Sequence, residues 1–133
     1  MSSTEFPSAV LSLKSVVKNF SSQHETVSVL NGVNWNLERG VSAAIVGESG
    51  AGKSTLLHLA AALDRPSEGQ VWVDGTDLGP LKEREVSAFR ASKVGIIFQF
   101  HFLLKEFTVW ENVWLPAWLA GVPKKAAKER ARE

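Results

Sequence analysis

The run Gly47-Glu48-Ser49-Gly50-Ala51-Gly52-Lys53-Ser54-Thr55 constrains this chain more than any other stretch. It fits the pattern G-x-x-x-x-G-K-[ST] at every specified position. An apolar run, Val41 to Val46, precedes it, and Leu56, Leu57, Ala60 and Leu63 follow at helical spacing. A buried strand that turns through glycines into a helix is the setting the pattern needs. Gly47, Gly50 and Gly52 allow backbone angles closed to other residues and a close approach to an anion. The amides of such a loop converge on a β-phosphate, helped by the positive end of the helix. Lys53 neutralises charge on the β- and γ-phosphates, the Ser54 hydroxyl suits magnesium, and Thr55 reaches the α-phosphate. The loop therefore reads as a site for nucleotide phosphates and Mg2+, a feature that kinases, GTPases and transport ATPases share.

The rest of the chain sets this loop in an α/β context. Leu11 to Phe20 reads as a strand, and Val27 to Leu37 as strands joined by a hairpin or bulge at Asn31-Gly32. Val41–Val46 and Val94–Phe98 are short apolar runs of the kind buried on both faces of a parallel sheet. Helices are expected at Lys53–Leu63 and Glu83–Ala91, from Thr108 to near Gly121, and over Lys124–Glu133. Thr108 and Glu111 have capping-box spacing. Gln70 to Asp74 reads as a strand closing on the turn Asp74-Gly75. At 133 residues there is room for one core. A formal charge of +1 gives no electrostatic case for nucleic acid, and with no cysteine there is neither a disulfide nor a thiolate metal site. The start, Met1 to Pro7, lacks a signal-peptide pattern, and no apolar run nears the roughly 18 residues of a membrane span. A soluble chain is expected, reaching a membrane only through a partner.

Residues around the loop resemble one family. Val29-Leu30-Asn31-Gly32-Val33-Asn34-Trp35, ending in Glu38-Arg39-Gly40, is similar to the strand pair before the P-loop of ABC-transporter ATPases. Val94 to Leu104, then Glu106-Phe107-Thr108-Val109-Trp110-Glu111-Asn112-Val113, resembles their Q-loop region. The wording is nearest the lipoprotein-releasing (LolD-like) branch, with macrolide-exporter and cell-division (FtsE-like) relatives beside it. The resemblance runs from about Val10 to Arg132, and the P-loop and Q-loop stretches carry it.

This resemblance implies a P-loop NTPase (ABC ATPase) fold in truncated form. Residues 1–133 would be the N-terminal part of one nucleotide-binding domain: an antiparallel β subdomain, part of a RecA-like core and the start of the helical subdomain. It implies that Phe20 stacks on adenine, where the family usually has tyrosine, although Phe20 also suits a plain apolar strand end. It implies that Gln99 joins Ser54 as a magnesium ligand and senses the γ-phosphate. Its partners would be a transmembrane permease and a second ATPase subunit. Its place would be cytoplasmic, peripheral on the inner face of the cell membrane. His24, His58 and His101 read as structural or exposed.

The departures are as informative. The family's signature loop, apolar-strand aspartate, catalytic glutamate and switch histidine have no counterpart in these residues. Val71-Trp72-Val73-Asp74 runs straight into Gly75 and reads as a hairpin. The chain is therefore expected to bind ATP without appreciable hydrolysis, and to expose sheet edges and apolar surface. The leading reading from the resemblance is the ATP-binding subunit of an ABC transporter, for lipoprotein release or related export, coupling ATP binding and hydrolysis to a membrane partner. The alternative is a truncated binding-only nucleotide module without turnover. A stand-alone kinase or GTPase is disfavoured, because the N-K-x-D pattern and an arginine-rich lid are lacking. Trp110, Trp114 and Trp118 form one helical stripe, suited either to packing in the helical subdomain or to a groove for a permease helix. Lys124 to Arg132 reads as a solvated helical face.

Overall fold

The computed structural model describes residues 9–133. They form two compact units, up to Val86 and from Ser87 onward. The first is built on a four-stranded antiparallel sheet in the order β2-β1-β3-β4. Its strands are β1 (Ala9–Ser21), β2 (Thr26–Glu38), β3 (Glu68–Val73) and β4 (Thr76–Asp77).

Polar turn residues close the hairpin between β1 and β2. The Ser22 amide donates to the Glu25 carbonyl at 2.8 Å, and the Ser22 hydroxyl accepts from the Glu25 amide. Asn31-Gly32 is not a second hairpin. Val16 faces Val33 and Lys18 faces Leu30, so two residues of β2 oppose the single Val17 of β1. That is a bulge, and β2 remains one strand. A bulge on β1 sits at Ser15, whose φ is +47 and whose amide is satisfied by the Asn34 carboxamide at 2.9 Å. Asp74 and Gly75, both at positive φ, make the two-residue turn between β3 and β4. This confirms the hairpin reading of Val71–Asp74, and the Asp74 carboxylate is paired with Arg39.

The helix α1 (Lys53–Ala60) packs on β2 and β3, and its Leu59 is fully buried, as are Leu13, Val16 and Val71 of the strands. It stops before Arg65-Pro66. The Leu63 amide reaches the His58 carbonyl at 2.8 Å and the Ala62 amide that of Leu59 at 3.1 Å, with Ala62 left-handed at φ +54. This is the Schellman closure, which satisfies the last carbonyls and ends the helix.

Two expectations are corrected. Val41–Val46 and Val94–Phe98 form no strand and join no ladder among the described residues. They are largely exposed, with Val46 at 86% and Ile97 at 101%. A parallel strand buried on both faces exists only between neighbours that satisfy its N–H and C=O groups. The described strands pair antiparallel with one another and supply no such neighbours. The expected exposure of apolar surface is present.

The helix α2 (Glu83–Lys93) begins in the first unit and continues into the second, which also holds α3 (Val109–Leu119) and α4 (Lys124–Arg130). The capping box is formed: the Thr108 hydroxyl accepts from the Glu111 amide, and the Glu111 carboxylate accepts from the Thr108 amide at 2.8 Å. That backbone bond, then the bond from the Thr108 hydroxyl, lowers the Glu111 pKa below its ordinary value. Asn112 ties the preceding loop to α3. Its carboxamide accepts from the Leu104 amide at 2.8 Å and donates to the carbonyls of Leu104, Phe107 and Thr108.

The tryptophan stripe packs against α4. Lys124 lies over Trp114 and Trp118 at 5.4 and 5.5 Å from the ring centroids. Lys128 lies over Trp110 and Trp114, each at 5.1 Å, and Arg132 over Trp110 at 5.5 Å. Rings four residues apart on α3 meet cations four residues apart on the α4 segment. Lys124, Lys128 and Arg132 are therefore not a plain solvated face, because the ring quadrupole holds their charges against α3. This geometry favours the packing role of the stripe, and Trp114 is its buried member.

Candidate functional site

The residues Glu48 to Gly52 make a closed loop in front of α1. The Ala51 amide donates to the Glu48 carbonyl at 3.2 Å, and Gly50 and Gly52 are left-handed at φ +82 and +87. Gly52 is required twice over. A Cβ there would lie 3.0 Å from the side chains of Val29 and Leu30 and 3.1 Å from the Val29 carbonyl oxygen. Only a bare α-carbon lets the loop seat against β2 in that conformation.

As the N-cap of α1, Gly52 has no side chain to cap the helix, and the first intrahelical bond runs from the Leu56 amide to the Gly52 carbonyl at 2.9 Å. The N–H groups of the first turn, Lys53 to Thr55, are thus presented at the positive end of the helix. They line one cavity of about 330 Å³ together with Ser49, Gly50, Gly52 and Val29. Lys53 Nζ turns back over the loop and donates to the carbonyls of Gly47 at 2.9 Å and Glu48 at 2.5 Å. Amide donors, a flexible ammonium and the hydroxyl residues Ser49, Ser54 and Thr55 around a glycine-floored hollow fit the phosphates of a nucleotide with its magnesium.

Val29 is a lining residue that strand periodicity does not reveal. Lys18 faces Leu30 while Asn19 faces Ser28, which leaves Val29 as the extra residue of a second bulge on β2. Such a bulge re-aims a side chain, here into the loop cavity. Alternating Val27 and Val29 read as an ordinary strand, and bulges of this kind have no reliable local sequence signal.

Phe20 stands at the end of β1 opposite Val27, with 47% of its surface exposed. A ring this exposed is open to a flat ligand and equally fits a plain apolar strand end. The Lys18 ammonium lies 5.0 Å from its centroid. Gln99 is exposed and belongs to the second unit, whereas Phe20 and the loop belong to the first. His24, His58 and His101 are exposed, and no group of three or more His, Cys, Asp or Glu side chains able to hold a metal occurs among the described residues. No helix among them is long and apolar enough to cross a membrane.

A glycine loop with this sequence and these left-handed glycines, opening a helix at Lys53, is a P-loop. The family model for ABC transporters matches residues 30–133. The chain belongs to the ABC transporter family. It is 47% identical over 124 residues to the lipoprotein-releasing system ATP-binding protein LolD of Bacteroides thetaiotaomicron, a match covering 93% of this chain and 55% of that protein. With the LolD of Bacteroides fragilis the identity is 46%, covering 93% and 56%. The chain thus spans about half the length of the curated relatives it matches. Among solved structures, the dimeric ATP-binding cassette MJ0796 in a post-hydrolysis state bound to ADP and Pi superposes with a TM-score of 0.84 at 34% identity, over 91% of this chain and 53% of that one.

Proposed function

We propose that residues 1–133 are the N-terminal part of one nucleotide-binding domain and supply the ATP-binding half of its site in an ABC transporter of the lipoprotein-releasing type. The observation that carries this is the uncapped N-terminus of α1, with its left-handed glycine loop and Lys53 turned over it. Amides of residues 49–55 bind the phosphates, and Lys53 exchanges its loop carbonyls for phosphate oxygens. Ser54 would hold magnesium and Phe20 would carry the adenine, with Gln99 the further magnesium ligand that the family resemblance implies. Magnesium, when bound, neutralises charge on the terminal phosphates. The 47% identity to a lipoprotein-releasing ATPase supports that branch over its relatives. A transmembrane permease and a second copy of the ATPase subunit are the partners this reading implies, with attachment to the inner face of the cell membrane through the permease.

On this reading the chain alone binds ATP without appreciable turnover. Its residues offer no glutamate placed after an apolar strand to act as general base on water, since Asp74 sits in a hairpin turn paired with Arg39. Two measurements on the 133-residue chain test this. ATP binding by calorimetry should require magnesium and should weaken at least about tenfold in Lys53→Ala. Phosphate release should not exceed the protein-free blank. Equal binding by wild type and Lys53→Ala would overturn the site, and robust turnover would overturn the binding-only reading of the chain.

A further inference from the structure

Phe20 has two ring faces, and the protein itself takes one of them. The Lys18 ammonium sits 5.0 Å from the ring centroid, within reach of a cation–π attraction. It does not wander there by chance. Lys18 Nζ donates to the Asp64 carboxylate at 2.7 Å and to the Arg65 carbonyl at 2.8 Å, and its side chain is only 12% exposed. Asp64 and Arg65 follow the Schellman turn that ends α1, the helix whose other end bears the phosphate loop. One lysine thus links the ring on β1 to the segment leaving the P-loop helix.

We infer that Lys18 is a positioning residue for nucleotide binding: pinned by Asp64 and the Arg65 carbonyl, it clamps one face of Phe20 and leaves the opposite face as the platform for an adenine. The clamp stops the ring from turning about its side-chain bonds, so less freedom is lost when a base stacks. It also draws electron density toward the ammonium, which leaves the opposite face better suited to an electron-rich purine. This rests on the reading of Phe20 as the base platform.

The test compares affinity for ATP with affinity for inorganic tripolyphosphate, which has the phosphates and no base. Calorimetry on the full 133-residue chain would use Lys18→Met, Lys18→Arg, Phe20→Ala and the double variant Lys18→Met/Phe20→Ala. A Lys18 that merely adds positive charge or stability affects both ligands alike. Lys18 acting through the ring lowers the ratio of ATP to tripolyphosphate affinity by about three- to fivefold in Lys18→Met. Lys18→Arg, which keeps a cation over the ring, should restore the ratio to within about twofold. The double variant should show the same ratio as Phe20→Ala alone. An unchanged ratio in Lys18→Met beside a lowered one in Phe20→Ala would overturn the inference and leave the platform standing. An unchanged ratio in Phe20→Ala would remove the platform and the inference together. If Lys18→Met does not fold, Asp64→Asn loosens the same clamp from the other side and must lower the ratio too.

Discussion

Gly52 offers a quantitative test of how the phosphate loop is built. Replacing it with alanine places a Cβ at φ +87, a region that disfavours an L-residue by about 1–2 kcal/mol. The same Cβ would stand 3.0 Å from two methyl carbons, well inside the usual carbon–carbon contact of about 3.5–4.0 Å. The third neighbour, the Val29 carbonyl oxygen at 3.1 Å, belongs to the backbone and cannot swing aside. Overpacking of this kind adds about 1–3 kcal/mol, which brings the total to about 2–5 kcal/mol. Gly50 is the matched control: its φ is +82, but a Cβ there would meet nothing within 4 Å. Gly50→Ala should therefore cost only the conformational part, about 1–2 kcal/mol. The cost emerges as lost stability where the strained loop is kept, and as lost phosphate affinity where the loop relaxes. Thermal unfolding and magnesium–ATP calorimetry on both variants capture the two routes. If Gly52→Ala were no worse than Gly50→Ala in either measurement, the seating of the loop against β2 would be wrong.

Three further outcomes follow from the structure. Lys128→Met removes two cation–π contacts at 5.1 Å and should destabilise the α3–α4 pair by about 1–2 kcal/mol. Lys125→Met, on an exposed lysine, should fall within about 0.5 kcal/mol of wild type in denaturant unfolding followed by tryptophan fluorescence. Asn112→Ala leaves the Leu104 amide without its acceptor, so hydrogen exchange at that amide should accelerate while amides of α1 keep their rates. Burial pushes the Asp64 carboxyl up, but the hydrogen bonds from Lys18 and the Arg65 amide, with the charges of Lys18 and His58, outweigh it and hold the group below its ordinary 3.8. A depressed carboxylate contributes stability that is present above its unfolded value and lost as pH falls through the native one. The stability gap between wild type and Asp64→Asn should therefore be constant above about pH 5 and shrink as the pH falls below 3.8.

The phosphate loop was legible in the residues because its chemistry is local. Glycines at set spacing, a lysine and two hydroxyls define the hollow wherever a helix follows them, and α1 begins at Lys53 as its pattern requires. The Thr108–Glu111 cap and the Asp74-Gly75 turn were legible for the same reason, since each closes hydrogen bonds within a few residues of chain. What tertiary structure decided involves partners far apart in sequence. Val29 enters the cavity because β1 and β2 pair out of step around it, and periodicity within one strand carries no trace of that offset. Lys18 meets Asp64, 46 residues further along the chain, only once the segment leaving α1 lies against β1. Val41–Val46 and Val94–Phe98 carry strand-like apolar patterns, yet a strand needs a neighbour, and among the described residues the sheet gives them none. Sequence determined the glycine loop; the long-range pairing of β1, β2 and α1 decided what surrounds it.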